Sequence, residues 1–472
     1  MSPRGKSHPA VSLVSLGCPK NLVDSEKMLS LLAEGGCLVG APMEEADVIV
    51  VNTCGFLSAA RDESLEVIGE AVKHKRRGRA SRVVVAGCLV NRDARKLYRL
   101  APGIDAIVGV NDRDGLLSAV TGKGTVTRIT PNLPQGHVRV GHAGSSEHAQ
   151  PRAGSSPSTD LIASDAGRFR LTARHTAYLR ISEGCSQRCT FCTIPAIRGP
   201  FRSKGPQAVL EEARELIADG AVELNVIGQD TTSYGMDLPG AGPRRASLAK
   251  LMDVLGGLDG LKWLRLMYAY PIRFTDALID TIAGGGAVVP YADLPLQHIS
   301  DPVLKAMGRR VTRARTEALL DKMRRRIPGL VLRTTFIVGF PGETDGRFEE
   351  LLQFVKDFKF DALGVFEFSP EEGTAAGSLP GGASGAVKAR RARQIMLAQR
   401  EIAFAASRRR IGDRIRVLVD GTDSRGRCVG RHYGQAPDID SICILTQRRR
   451  GGTFVWGKVV DCVQYDLIVQ PG

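Results

Sequence analysis

The chain has 472 residues, 43% of them apolar and 24% charged, a globular mix that excludes both global disorder and a small disulfide-stapled fold. Lys and Arg number 65 against 50 Asp and Glu, a formal charge of +15 that suggests a polyanionic partner, while an aromatic content of 5% argues against binding dominated by base stacking. At roughly 150 residues per domain the length predicts about three domains.

Residues 8–128 read as the first domain. Short apolar runs alternate there with helical stretches: VSLVSLG and a helix from near Asp24, DVIVVNT and a helix to about Lys75, RVVVAG and another helix, then AIVGV. That alternation is the pattern of a parallel α/β sheet. From 131 to 168 the segments PNLPQGH, HAGSSEHAQ, PRAGSSPSTD and ASDAG offer almost nothing to bury, so 129–170 reads as a flexible linker or insertion.

A second alternation fills 171–402. Its candidate strands are AYLRIS, VELNVIG, WLRLMYA, YADLPL, LRTTFIVG and ALGVFEF, and its helices include Gln207 to Asp219, stopped by Gly220, and Asp345 to Phe358. Six such units make a partial, TIM-like β/α barrel. A polar, Gly-rich break from Glu371 to Gly385 leads to a basic helix from about Lys388 to Arg410. Residues 405–472, with RIRVLVDG, TFVWGKVV and YDLIVQ between Gly turns, read as a small β-barrel domain. No apolar run approaches the roughly 18 residues that would span a membrane. The run from Val11 to Cys18 is short for a signal-peptide core and ends in Pro19-Lys20, so a cytoplasmic protein without a membrane partner is expected.

In that compartment thiols stay reduced, and clustered cysteines point to metal binding or catalysis rather than disulfides. Cys185, Cys189 and Cys192 form C-x3-C-x2-C immediately after the first barrel strand. Three thiolates from one loop hold three irons of a [4Fe-4S] cluster and leave the fourth iron open, whereas structural zinc wants a fourth ligand that the neighbouring sequence lacks. Cys18, Cys54 and Cys88 each directly follow a strand of the first domain. In a parallel sheet those ends share one edge, the crevice where open α/β folds bind ligands, so the three distant cysteines become neighbours and read as a second three-thiolate cluster. Any one of them alone is as well explained as a buried thiol. Cys37, Cys428, Cys443 and Cys462 show neither ligand spacing nor a shared edge and read as packing thiols.

With both cysteine sets in view, the chain resembles the methylthiotransferase family of radical S-adenosylmethionine (SAM) enzymes along nearly its whole length. SLGCPKNLVDSE, ISEGCSQRCTFCTIPAIRG, GQDTTSYG, LPLQHISDPVLKAMGRR and GRHYGQAPDID are similar to the branch that modifies an aspartate of ribosomal protein S12. The tRNA-modifying branch has a Gln-Met-Asn run where this chain has Pro19-Lys20-Asn21. The resemblance implies a methylthiotransferase domain, a radical SAM barrel and a TRAM-like tail. It further implies two [4Fe-4S] clusters and two uses of SAM: as methyl donor to sulfur held at Cys18, Cys54 and Cys88, and as source of a 5′-deoxyadenosyl radical at Cys185, Cys189 and Cys192. Such a radical attacks whatever it touches, which implies that the first domain closes the barrel mouth.

SAM contacts follow from the resemblance alone. Phe191 matches the position against adenine, Ile337, Val338 and Gly339 the strand supporting adenine and ribose, and Gly228, Gln229 and Asp230 a strand end at the same mouth; strand-end packing and turn formation explain these residues equally well. Implied partners are ribosomal protein S12, free or on the small subunit, and an electron donor such as flavodoxin or ferredoxin. RNA contact is expected from basic groups at Lys73 to Arg82, Arg309 to Arg326, Lys388 to Arg410 and Arg448 to Arg450, each also readable as a solvated helix face. Asp438 and Asp440 are expected to offer acceptors to a basic protein substrate. The competing functions are a tRNA methylthiotransferase and a non-catalytic iron–sulfur redox or RNA-binding protein, the last of which predicts fully protein-ligated clusters.

Overall fold

A computed structural model describes residues 8–113, 115–122, 128–129, 138–139, 162–240 and 246–472. Most of the 129–170 stretch read as a linker lies outside the described residues. The chain forms two compact units. One comprises Met1–Leu171, Glu183–Ser186 and Thr193–Gly205, the other Thr172–Ser182, Gln187–Cys192 and Pro206–Gly472.

The first unit is built from β1 (Ala10–Ser15), α1 (Pro19–Glu34), β2 (Leu38–Val39), β3 (Val48–Thr53), α2 (Ser58–Arg76), β4 (Arg82–Gly87), α3 (Cys88–Leu100), β5 (Ala106–Val108) and α4 (Gly115–Thr121). The strands form one parallel sheet in the order β2-β1-β3-β4-β5, with Val11 opposite Val48 and Val48 opposite Arg82. Burial on both faces explains why β3 and β4 are nearly unbroken apolar runs. Ile49, Val51, Val83 and Val85 face a core closed by Ile68 of α2 and Leu89 of α3. Val48, Val50, Val84 and Ala86 face the opposite core with Met28 and Leu32 of α1 and Leu116 of α4. Cys37 packs in that second core, and edge strand β2 follows it. A two-residue strand has no period to read, so the sequence did not announce it. Helix α1 starts at Pro19 rather than near Asp24, because proline fits the first helical turn, where its missing N–H costs nothing.

Beyond a two-residue antiparallel pair, β6 (Arg128–Ile129) with β7 (Val138–Arg139), come β8 (Thr176–Arg180), β9 (Ser182–Glu183), α5 (Ile194–Arg198) and β10 (Arg202–Ser203). The remaining elements, all in the second unit, are α6 (Pro206–Ala218), β11 (Glu223–Ile227), α7 (Leu248–Gly256), β12 (Trp263–Leu266), α8 (Asp276–Ala283), β13 (Val288–Gln297), α9 (Asp301–Ala306), α10 (Arg313–Arg326), β14 (Val331–Val338), α11 (Asp345–Phe358), β15 (Ala362–Glu367) and α12 (Gly385–Arg409). The six barrel strands β8 and β11 to β15 pair in parallel in the order β15-β14-β13-β12-β11-β8. Helix α11 has the limits its sequence predicts: the Thr344 hydroxyl accepts from the Arg347 N–H, and Lys359 leaves the helix at φ 58°. Helix α12 begins before Lys388 because Ser384 caps it.

The tail, β16 (Arg414–Thr422), β17 (Cys428–His432), β18 (Cys443–Leu445), β19 (Phe454–Val463) and β20 (Asp466–Pro471), closes into a barrel in the order β16-β17-β18-β20-β19. Cys428 and Cys443 are buried in its core and Cys462 packs against it. This barrel is joined to the six-stranded sheet by charge. Glu223 on β11, fully buried, pairs with Arg265 of β12 at 3.0 Å and Arg431 of β17 at 2.8 Å, and His175 meets Asp420 at 2.9 Å. Asp440 corrects the expectation placed on it, whereas Asp438 stays exposed. Asp438 accepts from the Tyr178 hydroxyl at 3.3 Å, and Asp440 accepts from the Tyr291 hydroxyl and the Ala436 N–H. Asp440 also pairs with Arg333 at 3.5 Å, so this acceptor serves the fold.

Two of the basic groups have structural explanations as well. Lys73, Lys75 and Arg76 sit in the last turn of α2, where cations offset the helix dipole, and Lys75 pairs with Asp105 at 2.5 Å. From α10, Lys322 and Arg326 pair with Asp276, Arg326 also with Asp280, and Arg324 with Asp361.

Candidate functional site

The first sheet delivers three thiols to one edge. Cys18 is the N-cap of α1, Cys54 follows β3, and Cys88 is the first residue of α3. All three are free thiols, and they lie in one another's electrostatic field. Burial pushes the Cys54 thiol up, opposed by the Phe56 N–H, with Cys18 raising it and Arg198 lowering it by smaller amounts. Burial pushes Cys88 up to about 12, again opposed by Arg198 and reinforced by Cys18 and Cys54.

The strand ends are tightly tied. Asn21 Nδ2 donates to the Leu16 carbonyl at 2.5 Å, Asn52 Nδ2 to the Asn21 carbonyl at 3.0 Å, and Thr53 Oγ1 to the Ala86 carbonyl at 2.6 Å. Gly87, at φ 94°, could carry no Cβ, which would lie 2.3 Å from Asn52 Oδ1 and 2.7 Å from the Thr53 carbonyl. Among the described residues, no three His, Cys, Asp or Glu side chains close on a single-ion site. Thiols are the donors that iron–sulfur clusters take, so both cysteine sets have the donor chemistry such a cluster needs.

Sequence reasoning missed the charged residues behind this edge, which form a ladder of alternating sign. Arg198 Nη1 lies 3.2 Å from Glu183 and 2.9 Å from Asp24; Arg113 bridges Asp24 to Asp165 at 3.0 Å on each side; Lys204 closes the ladder on Asp165 at 2.8 Å. At its near end Arg198 Nη2 donates to Cys88 Sγ at 3.2 Å. Asp165 and Arg168, the latter paired with Glu26 of α1 at 3.1 Å, are buried, so this end of the stretch read as a linker is fixed against the first unit. Arg198 stands inside ISEGCSQRCTFCTIPAIRG, but no local pattern marks it.

The second cysteine set lies on the loop between β9 and α5. The Cys185 N–H donates to the Gly199 carbonyl, and the Cys192 N–H to the Cys189 carbonyl at 3.2 Å. The middle of the loop is anchored in the barrel unit. Thr190 Oγ1 donates to the Ala306 carbonyl, the Thr190 N–H to the Met307 carbonyl, and Gln187 Nε2 to Asp230 at 2.8 Å. Arg309, which sequence reasoning placed only in a basic group, directs Nη1 at Cys189 Sγ from 3.8 Å and stacks over Tyr270 at 4.1 Å.

Of the residues matched to SAM contacts, Phe191 and Ile337 pack on one apolar cluster, where Phe191 meets Phe340 edge-on at 6.4 Å between centroids. Val338 is buried at the end of β14, and the N–H groups of Gly339 and Phe340 both donate to the buried carboxylate of Glu343. Gly228 and Gln229 follow β11, with Asp230 held by Thr232 and Ser233.

Three family models match in order: Uncharacterized protein family UPF0004 over residues 10–109, the Radical SAM superfamily over 179–355 and the TRAM domain over 411–471. Among solved structures, the radical S-adenosylmethionine methyltransferase TsrM from Kitasatospora setae, with tryptophan and a SAM analogue bound, matches at a TM-score of 0.54. It is 18% identical, covering 75% of this chain and 72% of its own, a likeness of fold alone. Curated relatives match far more closely. The ribosomal protein uS12 methylthiotransferase RimO of Desulforamulus reducens is 41% identical over 98% of this chain and 99% of its own. The proteins of that name from Geobacter sulfurreducens and Pelotomaculum thermopropionicum are 42% and 43% identical, each over 97% of this chain. A radical SAM family implies a [4Fe-4S] cluster and SAM. Identity at this level along both whole chains shows that the chain belongs to the RimO family of radical SAM methylthiotransferases.

Proposed function

We propose that the protein is a radical SAM enzyme that inserts a methylthio group at the β-carbon of an aspartate in ribosomal protein S12, taking the methyl group from one SAM and the radical from another. The observation that carries this reading is the convergence of Cys18, Cys54 and Cys88 on one sheet edge, in a chain that also holds the Cys185, Cys189, Cys192 loop and belongs to this family. The name shared by the relatives favours a ribosomal protein over tRNA as acceptor. A set of three cysteines leaves one cluster iron for a non-protein ligand, which an electron carrier does not need.

In this reading Cys185, Cys189 and Cys192 hold the cluster that binds SAM, and Cys18, Cys54 and Cys88 hold the one that carries the sulfur. When bound, the clusters supply an electron to cleave SAM and an open iron for sulfur. Phe191, Gly228, Gln229, Ile337, Val338 and Gly339 are proposed to line the SAM site. Glu343 supports the last of these by accepting the Gly339 and Phe340 N–H groups, which fixes the turn that follows β14. Gln187 and Thr190 anchor the cysteine loop so that its thiolates are placed before SAM arrives.

The electron donor is proposed to be a flavodoxin or ferredoxin, the tail to contact RNA on ribosomal particles, and the protein to work in the cytoplasm. Among the described residues no helix is long and apolar enough to cross a membrane. The test is anaerobic incubation of iron-replete protein with SAM, reductant and either S12 or tRNA. S12 should gain the mass of one methylthio group in place of a hydrogen, with 5′-deoxyadenosine released. Gain on tRNA alone would transfer the reading to the rival substrate, and absence of 5′-deoxyadenosine would end the enzyme reading.

A further inference from the structure

We infer that Arg198 is a positioning residue for the Cys88 sulfur and holds up the reduction potential of the cluster at Cys18, Cys54 and Cys88. The inference rests on the proposed cluster assignment and goes one step past it.

Arg198 is 1% exposed, so no water competes for its N–H groups. Nη1 faces both carboxylates, Asp24 at 2.9 Å and Glu183 at 3.2 Å. Nη2 faces Cys88 Sγ at 3.2 Å and Asn21 Oδ1 at the longer 3.4 Å. An arginine needed only to neutralise Asp24 and Glu183 would have no reason to turn its second nitrogen toward sulfur. The ladder as a whole is neutral, three cations against three anions, and Arg198 is fixed at its sulfur end by partners on α1 and β9. What reaches Cys88 is thus a buried N–H donor held in place by two carboxylates. Reduction adds negative charge to a cluster and its thiolates, and a donor aimed at a ligand sulfur stabilises the reduced form more than the oxidised one. Lysine cannot reproduce the arrangement, because a single ammonium replaces a planar fork that serves two carboxylates and a sulfur at once.

The test is a potentiometric titration of the anaerobically reconstituted full chain, followed by electron paramagnetic resonance. Three proteins are compared: wild type, Arg198→Lys, and the double variant Arg198→Met with Glu183→Gln. The double variant removes one charge of each sign, which leaves the rest of the ladder neutral and protects folding. Added SAM identifies the signal of the Cys185, Cys189, Cys192 cluster by perturbing it. The expected result is a more negative midpoint potential for the other signal alone, larger in the double variant than in Arg198→Lys. Equal potentials in all three proteins, or a shift confined to the SAM-sensitive signal, would overturn the inference. Iron content separates the two claims: wild type holding about four irons rather than about eight defeats the cluster assignment and this inference with it. Full iron with unmoved potentials defeats this inference only.

Discussion

Gly17 lies directly against Cys54. A Cβ at position 17 would stand 2.8 Å from the Cys54 Cβ and 3.1 Å from its sulfur, and the residue sits at φ 91°, where any side chain is strained. The glycine before the first cysteine is thus demanded by the second. Gly17→Ala is expected to push Cys54 out of place and lower reconstituted iron from about eight toward about four per chain, with SAM cleavage retained. Iron assay beside 5′-deoxyadenosine production checks it; full iron in the variant would mean the edge has slack the geometry does not show.

The two cysteine sets should fail differently. Cys185→Ala is expected to abolish 5′-deoxyadenosine formation. Cys54→Ala should keep most of that activity while S12 gains no methylthio mass. Equal loss of SAM cleavage in both variants would contradict the division of labour between the sets.

Glu223 carries the junction of the β11 strand with the tail barrel. Burial pushes its carboxyl up, but Arg431 and Arg265 outweigh that and hold it below its ordinary value. Removing one member of a buried charge cluster leaves the others unpaired, at a cost of about 3–5 kcal/mol. Glu223→Ala should lower stability by about that amount in urea unfolding. A loss of less than about 1 kcal/mol would place these charges in contact with water.

The tail barrel should be sensitive to mild acid through His432. Burial first, then Arg410 and Arg265, hold its imidazole well below the ordinary value, so the folded chain refuses a proton that the unfolded chain accepts near pH 6.5. Stability from this residue is therefore complete above about pH 6.5 and falls as pH drops through that value, by up to about 1.4 kcal/mol per unit. Asp420, whose carboxyl is held below its ordinary value despite burial by His175 and Arg431, has its own loss at lower pH and does not enter this window. The urea midpoint should decline between pH 7 and 5.5, and His432→Gln should flatten that decline.

Strands β3 and β4 were legible because their buried runs are apolar and stop at Cys54 and Gly87, and α11 because Thr344 caps its start. The shared edge of Cys18, Cys54 and Cys88 was legible for the same reason: strand ends place them. The ladder was not, since Arg198 finds Cys88 across 110 residues and Asp165 finds Lys204 across 39. Charge pairing over such separations leaves no period in the sequence. By hydropathy ASDAG has nothing to bury, yet Asp165 is 1% exposed, because its burial comes from Lys204 and Arg113 rather than from apolar area. Asp440 failed in the opposite sense: as an acidic residue in the basic tail it looked available, and Tyr291 and Arg333 of the barrel strands had already taken it.

The ladder also bears on how members of this family can exchange parts. Four of its six charges, Asp165, Glu183, Arg198 and Lys204, come from beyond residue 128, although all six belong to the first compact unit. A chimera that swaps only the N-terminal sheet between two relatives would bring Asp24 and Cys88 from one parent and Arg198 from the other. Residues 162–171, 183–186 and 193–205 must travel with that sheet for the graft to keep its own counter-charges.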